Sequence, residues 1–347
     1  MLKVLYENIG FFIILIIIIQ LPACNCNKIK NNVDVSNIQL NVDIKRFDKA
    51  IRQIDTTNIS TSAVDIYRAY PIFFPFYIEE VMQFGKFSKA DTALYLAPFQ
   101  QHLTNNYVRE VLDTMQQAFP HLNDFEQDLT LALKYFKYYF PDKGIPQFVA
   151  FPSNFTYAAL SFDTLIIAVG LDMYLGSNYK YYRGMYPAYL YHKFTPHFML
   201  PNTLNVLGSM CFNYPTTDNT FLEKMINEGK KLYLLDLLMP DFADHIKMGY
   251  TADEQAWCSA NEADIWYFFI ESDLLYSTNA KLTDRYFDPA PSSSGMPAES
   301  PGRVGAWAGR QIVNRFMQRH PEISYNDLIN QYDAQTILSL SKYKPKK

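Results

Sequence analysis

Histidine is scarce in this chain, with six in 347 residues at positions 102, 121, 192, 197, 245 and 320. No two of them stand i, i+4, the spacing that lets two imidazoles on one helical face grip a zinc ion. The nearest pair, His192 and His197, is five apart with Pro196 between them, which argues against a shared helical face. Glycine is also sparse, at 13 residues, and forms neither a phosphate-cradling loop nor a dinucleotide fingerprint after a strand. No G-x-S-x-G surrounds a serine nucleophile. Charge is nearly balanced, 35 acids against 31 bases for a net charge of -4, without long blocks of either sign, so nucleic acid is not the expected partner. Of four cysteines only Cys211 and Cys258 lie in the body of the chain, where a disulfide and two buried thiols are equally open. No cofactor motif is present, and no cofactor is expected.

What is abundant is core material. Apolar residues make up 49% of the chain, with 26 Phe and 26 Tyr, which is ample for a globular body. The amino terminus carries an export signal: Lys3, an unbroken apolar run over 11–19, then Leu-Pro-Ala-Cys at 21–24. The run is short for a permanent spanning helix, so cleavage before Cys24 and acylation of that cysteine are expected. This divides the chain into a signal peptide at 1–23, a lipidated tether at 24–32 and one domain at 33–347. The tether has no acidic run, which points to the periplasmic side of the outer membrane.

In the body, roughly alternating apolar residues over 33–47 predict a strand, and the pattern becomes helical over 63–70, 76–84, 92–119 and 125–139, punctuated by Pro71, Pro75, Pro98 and Pro120. Aromatics crowd these stretches and are read as core. Residues 147–150 and 157–169 predict strands around a turn at 161–164, so the expected fold class is α+β, mostly helical with a small sheet. Thr251 and Glu254 form a capping box for a helix through residue 275, Ser300-Pro301 open another, and Gly305 and Gly309 one turn apart suit close helix packing. Between these helices the Pro/Ser/Gly stretch 288–298 reads as a mobile surface loop able to cover a cleft. The basic tail 342–347 reads as a solvated end.

The most informative stretch is FLEKMINEGKKLYLLDLL at 221–238. On a helical wheel Met225, Leu232 and Leu235 share a face, Glu223, Lys224, Asn227, Lys230 and Lys231 fill the other, and Glu228 falls within the apolar face next to Gly229. Glu262 is a second acid projecting into an apolar arc. Two readings follow. Glu228 and Glu262 either pair with Arg303 or Arg310, or accept hydrogen bonds from aromatic side chains, as structural buried groups, or the four residues line a cleft that binds a ligand.

Several long blocks occur in a fixed order: LPAC at 21–24, GLDMYLG at 170–176, MINEGKKLYLLD at 225–236, GYTADEQAWCSANEADIWYFFIESDLLYST at 249–278, ESPGRVGAWAGRQIV at 299–313 and DAQTILSLSKYKP at 333–345. Together they resemble the gliding motility lipoprotein GldB family over essentially the whole mature chain. The resemblance implies a lipid-anchored envelope protein whose partners belong to the gliding and secretion machinery. It also implies a zincin-like body, since a Glu-Gly helix is similar to the third-ligand helix of zinc peptidases. Only Glu228 has a counterpart there, because the preceding segment, NTLNVLGSMCF at 202–212, has neither His nor Glu. The expectation is therefore a non-catalytic scaffold without metal, with Glu228, Glu262, Arg303 and Arg310 marking a vestigial cleft. The alternatives are a divergent zinc metallohydrolase recruiting His192, His197 and Glu228, and a peptide- or glycan-binding module.

Overall fold

Strands form only where short apolar, β-branched runs are bounded by turn residues: β1 (Ile44–Arg46), β2 (Gln147–Phe151), β3 (Ala159–Phe162) and β4 (Ile166–Gly170). The computed structural model describes residues 33–88, 92–163 and 165–346, so the signal, Cys24 and the tether lie outside the described residues. The sheet order is β1-β2-β4-β3, with β1, β2 and β4 parallel and β3 antiparallel at the edge. Phe148 stands opposite Ile167 and Ala150 opposite Val169. Every residue of β4 and all but Gln147 of β2 are buried, as parallel strands covered on both faces require.

Helices supply the rest, and the fold class is α+β, mostly helical. Those needed below are α1 (Ala93–Thr104), α2 (Asn106–Ala118), α3 (Asn123–Tyr139), α4 (Met199–Cys211), α5 (Phe221–Leu238), α6 (Ala252–Ala260), α7 (Glu262–Glu271), α8 (Val304–Arg319) and α9 (Ala334–Ser341). Helix α4 lies on β3 and β4 and leads into α5, which packs along α8, with α3 and α9 also against it. In the amino-terminal half an aromatic cluster joins the aliphatic core: Phe47 meets Phe73 at 5.0 Å and Tyr77 at 4.9 Å, edge to face.

Several local expectations change. The strand expected over 33–47 is only three residues long, because Phe47 starts a helix, Phe47–Arg52, whose burial fixes the chain direction. Upstream, the N–H groups of Val42 and Ile44 donate to Thr130 Oγ1 (3.2 Å) and Glu126 Oε1 (3.0 Å) of α3 instead of to a strand. The segment 92–119 divides at Asn105, whose side chain caps α2, while Pro98 is accommodated inside α1. The capping box at Thr251 and Glu254 forms, but its helix ends at Ala260 and restarts as α7. Ser300 does not cap α8. Its hydroxyl donates to Pro297 O and accepts from Ser293 N, while Ser293 Oγ donates to Pro301 O at 2.6 Å. The stretch 288–298 is thereby laced to the start of α8. The tail is anchored too, since Tyr343 packs its ring on Trp266 and bonds Glu262. Cys211 and Cys258 are both free thiols.

Helix α5 is buried nearly all round. Of its 18 residues only Lys224, Glu228 and Lys231 escape burial, so the face assigned to Glu223, Asn227 and Lys230 is not a solvent face. Each has a specific reason to be inside. Asn227 Nδ2 donates to Pro215 O and Lys230 Nζ to Tyr332 O. Glu223 closes the α4–α5 connection by accepting from Thr217 N (2.6 Å), Thr217 Oγ1 (2.9 Å), Asp218 N (3.1 Å) and Asn219 N (2.7 Å). Burial works to raise its carboxyl, but these donors hold it below the usual carboxylate range. Glu223→Ala strands three loop N–H groups and is expected to cost about 3 kcal/mol, with Glu223→Gln losing roughly half of that. Urea unfolding checks this as a lower midpoint at unchanged m-value.

Candidate functional site

Glycine makes the site possible. A Cβ on Gly229 would lie 2.3 Å from Gly309 O, and one on Gly309 would lie 1.8 Å from Met225 O, so α5 and α8 cross backbone to backbone. The crossing sets Glu228 beside the residue that begins α8, Arg303, which holds a left-handed backbone at φ +59°. Glu228 Oε2 is 3.8 Å from Arg303 Nη2, and its Oε1 takes a 2.7 Å hydrogen bond from Lys231 Nζ. The side chains of Glu228 and Arg303 are 26% and 21% exposed, so Glu228 is a half-buried acid with two cations and not a core carboxylate.

Arg303 also donates through Nη1 to Met248 O at 2.5 Å, which brings it over the turn at Gly249. There it meets the aromatic segment 179–198, which forms short 3-10 turns ahead of α4. His192 Nε2 lies 3.2 Å from Gly249 O, and Lys193 Nζ faces the same glycine. Burial, and then the neighbouring guanidinium of Arg303, lower the Lys193 ammonium to about 8, with Glu254 acting in the opposite direction. Glu254 already accepts Thr251 N at 2.7 Å. Tyr250 closes the floor through its hydroxyl to Gly302 O (2.7 Å), and burial pushes the adjacent Cys258 thiol up to about 12. Pro289 and Ala290 of the laced loop form the other wall. The cleft between them holds about 10 Å³, the size of a single water. Lys193 and Arg303 bring positive charge to this cavity, with Glu254 in the same lining and Glu228 paired to Arg303, and the arrangement contains no nucleophile bonded to a base.

The other expected site residues lie elsewhere. Arg310 turns away from Glu228 to a buried cluster: Nε and Nη2 bond Asp236 Oδ2 (2.9 Å) and Oδ1 (2.7 Å), and Nη2 reaches Asp244 Oδ1 (2.8 Å). Lys247 Nζ adds a 2.9 Å bond to Asp236 Oδ1. Glu262, at the start of α7, accepts from Tyr343 Oη at 2.9 Å. Asp236 and Lys193 were not singled out by sequence reasoning. Asp236 carried a signal, an acid inside the apolar run 232–238, whereas Lys193 had none beyond its aromatic surroundings.

A family model described as gliding motility protein GldB matches residues 28–345. The chain belongs to the GldB family. No curated protein and no solved structure matches it. Membership makes it a gliding-motility lipoprotein by family. The blocks MINEGKKLYLLD and ESPGRVGAWAGRQIV are the two sides of the α5–α8 crossing, and the block 249–278 supplies Gly249, Tyr250 and Glu254 to the lining of the Arg303 cavity.

The zinc implied by a zincin-like body does not fit these residues. Glu228, which would be its third ligand, is occupied by Lys231 and Arg303, whose positive charges oppose a divalent ion at that carboxylate. On α4, Asn202 Nδ2 donates to Tyr174 Oη (3.0 Å) and Thr203 Oγ1 to Met199 O (2.7 Å). Among the described residues no three of His, Cys, Asp or Glu converge as a ligand set, so His192, His197 and Glu228 do not form one.

Proposed function

We propose that this GldB-family chain is a non-catalytic component of a motility-associated envelope machine, held at the outer membrane by a lipid on Cys24 and facing the periplasm. The observation that carries this reading is the family match over residues 28–345, which begins four residues after the lipobox cysteine. The proposed domain plan is the signal at 1–23, the tether at 24–32 and one domain from 33 on. The described part of that domain packs as one compact unit, and none of its helices is long and apolar enough to cross a membrane, so a lipid is the simplest attachment. The occupation of Glu228 by Lys231 and Arg303 supports a scaffold over a hydrolase. The Arg303 end of the α5–α8 crossing is the proposed remnant of the cleft, now filled by side chains. Its partners are envelope proteins of that machinery.

Cys24→Ala is expected to leave the folded protein in the soluble periplasmic fraction while the wild type sediments with outer membranes, and to reduce motility in a gliding host. Retention of the variant in the membrane fraction would count against lipid anchoring. Elemental analysis of protein purified from metal-replete medium is expected to find less than about 0.1 zinc per chain, given the ligand requirement of such sites. One zinc per chain, released by Glu228→Gln, would favour the metallohydrolase instead.

A further inference from the structure

The block GLDMYLG takes no part in the Arg303 site, yet it carries a fully buried carboxylate. Asp172 has no exposed surface and makes no ion pair among the described residues. It stands just past the carboxyl end of β4, beside the loop that leaves the carboxyl end of parallel β2, the edge where sheets of this type open a crevice. Its Oδ1 accepts Ser153 N at 2.8 Å and its Oδ2 accepts Phe155 N at 2.5 Å. These bonds hold Asn154 and Phe155 in consecutive left-handed conformations, φ +55° and +58°. For a bulky residue such as Phe155 that conformation is strained, and such strain recurs at functional sites.

A cavity of about 20 Å³ adjoins the carboxylate. Its polar lining is Asp172, Tyr77, Tyr107, His102 and, at the outer side, Asn154, and its walls are apolar residues of α2 with Phe155. Tyr77 is completely buried, and neither its hydroxyl nor that of Tyr107 has a hydrogen-bond partner. Burial lowers His102 to about 4, so it is neutral at ordinary pH, and burial also raises the Asp172 carboxyl against the hydrogen bonds it accepts, so that a cation beside it would favour its charged form. Exposed Asn154 and half-buried His102 and Val108 mark the side towards solvent.

We propose that this cavity is a binding site for a small monocation, the ammonium head of a primary amine or an alkali ion. An ammonium has three N–H donors and no acceptor, and the cavity offers three oxygen-bearing acceptor groups: the Asp172 carboxylate and the two phenolic hydroxyls. The free lone pairs of Asp172 gain a counter-charge, both tyrosine oxygens gain a partner, and the aromatic rings suit a cation. The apolar wall of α2 then accompanies an alkyl stem outward. An alkali ion satisfies the same oxygens without the stem. The site is separate from the Arg303 cavity and does not depend on the scaffold reading.

The test is calorimetric titration of the full chain, purified in detergent at constant ionic strength, with ethylammonium, potassium and tetramethylammonium chlorides. Saturable 1:1 binding of ethylammonium is expected, with none for tetramethylammonium, which has the charge but no N–H. Saturable binding of potassium alone assigns the site to an alkali ion. Tyr77→Phe removes only an unpartnered hydroxyl, so it keeps the fold and is expected to weaken binding at least about tenfold. Asp172→Asn, with folding checked by circular dichroism, is expected to abolish binding. The proposal is overturned if neither ethylammonium nor potassium binds saturably, if tetramethylammonium binds equally well, or if Tyr77→Phe binds with wild-type affinity.

Discussion

Gly309→Ala is expected to lower the stability of the folded chain by about 3 kcal/mol or more, enough to leave much of the protein unfolded or aggregated at 37 °C. The added methyl group would sit 1.8 Å from Met225 O, and the obstacle is helical backbone, which cannot swing aside as a side chain can. Helices α5 and α8 would have to separate along their whole contact, uncovering Ile312, Val313 and Leu232, all buried now. Alanine's helix propensity returns only about 1 kcal/mol relative to glycine. Gly229→Ala meets Gly309 O at 2.3 Å and should behave alike, and because the two changes strain one contact, the double variant should cost less than their sum. Gly144→Ala is the control. A Cβ there meets nothing within 4 Å, and its effect should stay within about 0.5 kcal/mol. Denaturant midpoints of the purified variants check all three.

That contact was legible in the sequence, and it is instructive why its neighbours were not. Gly305 and Gly309 stand one turn apart among small and β-branched residues, a pattern with few uses other than close approach, and Gly229 carried the same message from the other helix. The wheel of α5 misled because it assumes one dry face and one wet one. This helix is enclosed on all sides, so Glu223, Asn227 and Lys230 are polar for reasons local to each: a loop to cap, a carbonyl at Pro215, a carbonyl at Tyr332. Glu228 looked buried and is one of the few residues of α5 that reach towards solvent. Similarly, Ser300-Pro301 has the composition of a helix start, but its hydroxyl serves Ser293 seven residues back, and the left-handed Arg303 begins the helix instead. The Arg303 cavity draws on residues 189–193, 249–254, 289–290 and 302–303, and no spacing rule connects segments that far apart. Asp172 was quoted only as part of a recurring block. The strained turn it holds is a matter of backbone angle, which composition does not record.

Asp236→Ala is the second large effect, and its pH dependence separates it from a simple loss of packing. Arg310 lies next to Gly309, so the α5–α8 crossing that forces two backbones together also brings a guanidinium onto the Asp236 carboxylate, with Lys247 on its other side. Removing the carboxylate leaves two cations facing each other with side chains only 4% exposed, and breaking such a buried pair costs about 3–5 kcal/mol. Asp244 relieves part of this, since it also bonds Arg310, but at 41% exposure it is well solvated and a weaker partner. Burial alone would raise the Asp236 carboxyl. Arg310 and then Lys247 more than offset that and hold it below its ordinary value of 3.8. A carboxylate depressed on folding contributes its full stability above the unfolded-state value and loses it as pH falls through the folded-state one. The wild type should therefore lose stability as pH drops below about 4, while Asp236→Ala, already lacking this contribution, should show a smaller loss over the same interval. Urea midpoints of both proteins at pH 7 and pH 3 measure the difference. Replacing Asp236, Lys247 and Arg310 together by apolar residues of similar size should recover most of the stability at pH 7, because the cost of the single change lies in the stranded cations and not in the absence of an ion pair.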